Sequence, residues 1–151
     1  MPRREFVCEV YAPLERVWEF HNKIDSLLLL TPPQLRARIL GERPPMQEGA
    51  LYVIRVLIFG FIPVIMKTRI VAYEPPYGFT DRQEAGPFRR WQHRHRFEAL
   101  DPNKTRLSDS VEYEVPMGWL GTIADRAFVR RNVEALFAYR HRRTKEILEQ
   151  T

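Results

Sequence analysis

Asp81, His93, His95 and Asp109 are the residues of this chain best able to do chemistry, and their spacing brings them together. In Phe79-Thr80-Asp81-Arg82-Gln83 the odd positions carry Phe, Asp and Gln; from Trp91 to Phe97 they carry Trp, His, His and Phe. Successive side chains of a strand point to opposite faces, so each odd set shares one face. A carboxylate beside an imidazole can fix its tautomer and make it a general acid or base. It can equally hold the polar end of a ligand, or share a metal ion.

The elements that must position these groups are three adjacent antiparallel strands. Gly86-Pro87-Phe88 turns the first into the second, and Asp101-Pro102-Asn103-Lys104 turns the second into Leu107-Asp109-Val111-Tyr113-Val115. With both turns tight, Asp81 stands opposite His93 and His95 opposite Asp109, giving two facing carboxylate–imidazole pairs. The even positions carry Arg82, Arg90, Arg94 and Arg96, with Glu112 and Glu114 on the third strand, as a wet outer face does. Burial therefore falls on the odd face, among Trp91, Phe97 and Tyr113, where an unpaired polar group is costly.

Four readings of that face follow. It is a satisfied polar network that fixes strand register, or the polar end of a cavity. In the cavity reading Asp81, Gln83, His93, His95 and Asp109 orient a largely apolar molecule whose body is wrapped by Trp91, Phe97, Tyr113, Phe128 and Val129. A metal site is the weaker reading: the His-x-His pair shares a face with either aspartate, but each histidine already has a carboxylate partner, and His21 and His141 belong to other, distant helices. Catalysis by proton transfer through His93, His95, Asp81 or Asp109 stays open. Covalent catalysis does not, since Ser108 and Ser110 have outward parity and Cys8 is on another strand.

Around these strands the chain reads strand, helix, short helix, a long run of strands, then one long helix. Phe6 to Tyr11 alternates as a strand. Pro13 at a first helical position opens the stripe Leu14, Val17, Trp18, His21, and Ile24 to Leu30 is a second helical turn stopped by Pro32 and Pro33. Six further strands are expected at Leu35–Gly41, Ala50–Phe59, Ile62–Tyr73, Tyr77–Ala85, Arg89–Leu100 and Thr105–Val115. From about Gly121 the apolar period becomes 3.6, through Phe128, Val129, Val133, Leu136, Phe137, Arg140, Ile147 and Leu148. A curved seven-stranded antiparallel sheet gripping that long helix, with two short helices after the first strand, gives an α+β fold with room for a ligand between sheet and helix.

The composition of 151 residues, 44% hydrophobic and 12% aromatic, suits one domain over residues 1–151, able to bury a core without metals or disulfides. The single Cys8 forbids an internal disulfide and reads as an inward-facing thiol. Lys and Arg outnumber Asp and Glu by 24 to 19, but the charges are mixed. Arg126, Arg130, Arg131, Arg140, Arg142 and Arg143 share a helix with Asp125, Glu134, Glu146 and Glu149, a solvated mixed face rather than a nucleic-acid surface. Leu51 to Met66 is apolar yet broken by Arg55, Gly60 and Pro63, too interrupted to cross a bilayer. It reads as a hairpin making core or dimer contact, with membrane or lid contact by its Phe59–Phe61 tip as the alternative. The N-terminal residues lack the apolar stretch of a secretory signal, so a cytoplasmic location is expected. Nothing in the sequence sets an oligomeric state.

The chain resembles the ligand-binding branch of the SRPBCC superfamily, whose helix-grip fold is shared with START lipid-transfer domains, polyketide cyclases and birch-pollen-allergen proteins. The resemblance spans nearly the whole chain. It rests on Ala12-Pro13, Leu30-Thr31-Pro32-Pro33, F-x-D-x-Q-x-x-G-P-F from Phe79 to Phe88 and W-x-H-x-H-x-F from Trp91 to Phe97, then D-x-V-x-Y-x-x-P from Asp109 to Pro116 and Tyr139-Arg140. Met66 departs from the Trp that relatives tend to carry there, which bears on the shape of that part of the cavity. The resemblance implies a hydrophobic cavity for a small molecule with no tightly bound cofactor. It also keeps a cyclase- or dehydrase-like activity as the enzymatic alternative.

Overall fold

The computed structural model describes residues 3–58 and 60–149, so Phe59 and the chain ends lie outside the described residues, as do the side chains of Trp119, Thr122, Ala124 and Arg126. Seven strands form one antiparallel sheet in the order β1-β7-β6-β5-β4-β3-β2. They are β1 (Arg3–Val10), β2 (Arg38–Leu40), β3 (Leu51–Ile58), β4 (Ile62–Glu74), β5 (Gly78–Ala85), β6 (Arg90–Asp101) and β7 (Lys104–Glu114). From β2 onward each strand pairs with its successor, while β1 pairs with β7, so the chain must travel from one sheet edge to the other after β1. The short helices α1 (Leu14–His21) and α2 (Ser26–Leu29) make that journey.

Pro13 stands one residue ahead of α1 in an extended conformation, as the residue that starts the helix rather than its first member. The expected stripe holds: Leu14, Val17, Trp18 and His21 are the buried residues of α1. β2 is shorter than the expected Leu35–Gly41, because Pro33–Leu35 curls into a 3-10 turn and Arg36 takes a left-handed φ of +45°. At the other end of the strand run Gly78 has φ +152°, and a Cβ there would lie 2.0 Å from the His95 carbonyl oxygen. Only glycine lets β5 approach β6 this closely.

After β7 the chain is helical in three pieces: α3 (Gly118–Ala124), a π turn (Asp125–Val129) and α4 (Arg130–Leu148). The buried residues of α4 are Val133, Phe137, His141, Thr144 and Leu148, a stripe at spacings of three and four. It closes over two hydrophobic clusters. One gathers Trp18, Tyr52, Phe79, Phe97 and Leu107 with Leu148; the other joins Trp91, Val111 and Tyr113 to Val133 and Phe137. Phe137 is fully buried, stacked on Phe6 of β1 at 4.7 Å between ring centres and edge-on to His93 at 5.0 Å.

The β3–β4 hairpin divides its residues by parity. Ile54, Val56, Ile58, Val64 and Met66 face the interior, but Phe61 at the tip is 74% exposed, with Ile62 and Ile65 also exposed. The tip therefore does not pack into the core of its own chain. Its stems do.

Because Phe137 ties α4 to both β1 and the histidines of β6, Phe137→Ala should cost about 3 to 5 kcal/mol in urea unfolding. A loss under 1 kcal/mol would mean that α4 is not clamped to the sheet through this ring.

Candidate functional site

The register inferred for the central strands is the one observed: Asp81 faces His93 across β5 and β6, and His95 faces Asp109 across β6 and β7. The hydrogen bonds, however, run diagonally. His93 Nε2 meets Asp109 Oδ1 at 2.6 Å, and His95 Nε2 meets Asp81 Oδ2 at 2.8 Å. The facing partners are farther apart, 3.7 Å for His93 Nδ1 to Asp81 and 3.5 Å for His95 Nδ1 to Asp109. The expected straight pairs are thus crossed. Long imidazoles leaning along the strand reach the carboxylate one strand over on the far side, and the ring centres come within 3.6 Å with the planes tilted by 31° as they do so.

A third histidine joins them. His141 donates from Nε2 to Asp109 Oδ2 at 2.6 Å, which corrects its placement on a distant helix: α4 lies across the concave face and its later turns come down over β7. Both Asp109 oxygens are consequently engaged by imidazoles. Burial alone would raise the Asp109 carboxyl, but the hydrogen bonds from His141 and His93 hold it well below the usual range. Asp81 follows the same logic, lowered against burial by its bond to His95. Burial works against a charge on His141 too, yet its bond to Asp109 and the neighbouring Cys8 push it up to about 9. His93 goes the other way, lowered by burial and by the adjacent His95. An ionised carboxylate only accepts, so His93 carries its proton on Nε2, and Nδ1 keeps a lone pair with no donor in reach among the described residues.

These groups form one end of a cavity of about 430 Å³ between sheet and helices. Asp81, His93, His95, Asp109, Arg140 and His141 make its polar end; Leu27, Leu30, Ile54, Val56, Met66 and Leu136 are among the apolar side chains that make the rest. Of the residues expected to wrap a ligand, Trp91, Phe128 and Val129 line the cavity. Gln83, Phe97 and Tyr113 do not. The Gln83 amide instead bridges both backbone groups of Phe88, donating to its carbonyl at 2.7 Å and accepting from its N–H at 3.3 Å. Phe97 packs against Trp18 and His21 in the core, and the Tyr113 hydroxyl donates to Asp125 at 2.5 Å. Parity put all three on the inner face, but helices cover parts of that face.

Sequence reasoning missed two members of the polar end. Arg140 was counted both on the apolar stripe and with the solvated arginines; it is the stripe that places it, facing the cavity. His141 lies four residues beyond Phe137, on the same face, a signal available from the spacing alone. Asp81, His93 and His95 also offer three ligand atoms within 4.8 Å of one another, the donor set a divalent metal takes.

The curved antiparallel sheet, the long C-terminal helix and the short helices after the first strand are the helix-grip fold, SRPBCC-like. Solved structures share it over nearly their full lengths. A START superfamily protein from Mycobacterium smegmatis is 17% identical, with 98% of this chain and 97% of that one covered at a TM-score of 0.75. A protein from Chromobacterium violaceum is 16% identical, with 99% and 98% covered at 0.77. Ara h 8.0201 is 12% identical, with 99% of each chain covered at 0.68. Residues 8–148 match the family described as Domain of unknown function (DUF8410), and the chain belongs to that family. No curated protein matches it. Among the described residues no helix is long and apolar enough to cross a membrane.

The histidines give the fold a pH window. His21, buried and accepting no counter-charge, is lowered to about 4 by burial, so the stability of its neutral form is present above about pH 6.5 and lost as pH falls toward 4. His141 is raised to about 9, so its contribution is whole below about 6.5 and lost as pH rises through 9. Each limb spans up to about 3 kcal/mol. Stability should peak near neutrality, with the alkaline limb flattened in His141→Gln and the acid limb in His21→Gln; unchanged limbs in denaturant titrations across pH would contradict these environments. Asp109→Ala orphans two buried imidazoles where Asp81→Ala orphans one, so the first should lose about 3 to 5 kcal/mol and clearly more than the second. Equal melting of the two variants would remove Asp109 from the centre of the network.

Proposed function

We propose that this protein binds a small, largely apolar molecule between its sheet and α4, as a carrier or sequestering protein. The observation that carries the reading is the cavity itself: a volume within the range of small-molecule sites, apolar over most of its wall, with its polar groups gathered at one end. Apolar walls supply affinity by burial, and a localised polar end sets orientation. The likeness to START superfamily proteins supports the fold such a cavity requires. A soluble cytoplasmic setting and transient membrane contact by the exposed β3–β4 tip belong to the same proposal.

N-phenyl-1-naphthylamine, a neutral fluorescent probe, should bind with little dependence on salt and about tenfold more weakly to Trp91→Ala, which removes a large wall side chain. Absence of binding would refute the cavity reading. Tight binding of an oligonucleotide with a steep loss in salt would replace it with a nucleic-acid function.

One feature favours a second reading as a cyclase- or dehydrase-type enzyme: His93 Nδ1 holds a free lone pair at the cavity wall while Asp109 fixes its tautomer, the arrangement of a general base. Turnover of a bound ligand that disappears in a folded His93→Ala variant would establish it.

A further inference from the structure

Arg140 is a half-buried cation at the polar end of the cavity that no described residue satisfies directly. Its Nε is shut off from solvent without a hydrogen-bond partner. Among the described residues the guanidinium makes no hydrogen bond and no ion pair within 4.0 Å, and it lies over the Phe137 ring, 5.2 Å from its centre. Each neighbouring group is already committed. Asp109 is taken by His93 and His141, and Asp81 by His95. Those two carboxylates act on Arg140 only through space, and burial still lowers its pKa below the ordinary value. A guanidinium presents five N–H donors, and an Nε shut off from solvent without an acceptor carries a desolvation cost that a ligand oxygen would offset. The side chain lines the cavity, on the wall that also carries His141 one residue further along the helix.

Resting on the cavity reading above, we infer that the ligand is an amphipathic monoanion, an apolar body ending in a carboxylate that Arg140 grips. The charges at this end select the class. Asp81 and Asp109 take their hydrogen bonds from His93, His95 and His141, which leaves Arg140 as the cation of this end without a direct acceptor. One negative head group is therefore accommodated, whereas the second charge of a phosphate monoester would face both aspartates at short range. A carboxylate offers two oxygens in one plane to the guanidinium fork, and the bidentate pair gains strength in a site walled from water. The Phe137 ring stacked against the guanidinium holds the fork in position before the ligand arrives.

The test is a matched pair of probes, 11-(dansylamino)undecanoic acid and its methyl ester, titrated by fluorescence at neutral pH. The wild-type protein should prefer the acid by about tenfold or more, the value of one charge-assisted contact. Arg140→Met should lose that preference while binding the ester as before, and Arg140→Lys should keep part of it, retaining charge without the fork. Equal binding of acid and ester by the wild-type protein overturns the inference and leaves the cavity reading standing. So does a preference that persists undiminished in Arg140→Met. If neither probe binds, the cavity reading itself fails and the inference falls with it. The wild-type comparison needs no variant, so an unfolded Arg140→Met would not protect the inference from refutation.

Discussion

The carboxylate of Asp109 is the point on which the interior turns. It accepts one hydrogen bond from β6 through His93 and another from α4 through His141, while its own backbone belongs to β7 and pairs with β1. One acidic side chain thus fastens three elements at the depth of the cavity. An apolar residue of the same size would pack well enough, but it would leave the helix free to slide along its stripe, because apolar contact has no direction. Hydrogen bonds have one. The acceptor also decides the electrical state around it: ionised itself, it makes His141 a cation and fixes the tautomer of His93.

From that anchor the cavity acquires two unlike ends. Where α4 is tied to the sheet, polar groups converge; toward α3 and the β3–β4 hairpin the ties stop and the walls turn apolar. The exposed residues concentrate there as well, with Phe61 on the hairpin, Met117, Leu120 and Ile123 around α3, and Phe128 in the π turn.

Much of this was legible in the residues. Alternation gave the strands, two turns gave their register, and the facing positions of Asp81, His93, His95 and Asp109 came out as inferred. What parity cannot supply is reach. It places a side chain on a face but not along it, so the crossed hydrogen bonds were hidden, and Gln83, Phe97 and Tyr113 were assigned to a cavity that other elements had already covered. His141 and Arg140 were overlooked for a related reason: on a long helix a charged residue within the apolar stripe looks like a solvated neighbour until the helix has been laid on the sheet. Arg140 carried the better signal, since its position repeats the spacing of Val133 and Phe137.

The π turn at Asp125–Val129 has a consequence for how this chain tolerates change. A π turn is one residue of surplus in an α-helix, and it resets the angular phase of everything before it relative to everything after. The stripe of α4 is locked to the sheet by Phe137 and His141, so the surplus is absorbed upstream, where α3 presents Leu120 and Ile123 outward. Residues ahead of the turn can therefore vary in orientation and length without disturbing the spacing that brings Arg140 and His141 to the polar end. The turn works as a slip joint: one side holds chemistry fixed, and the other side is free to diverge.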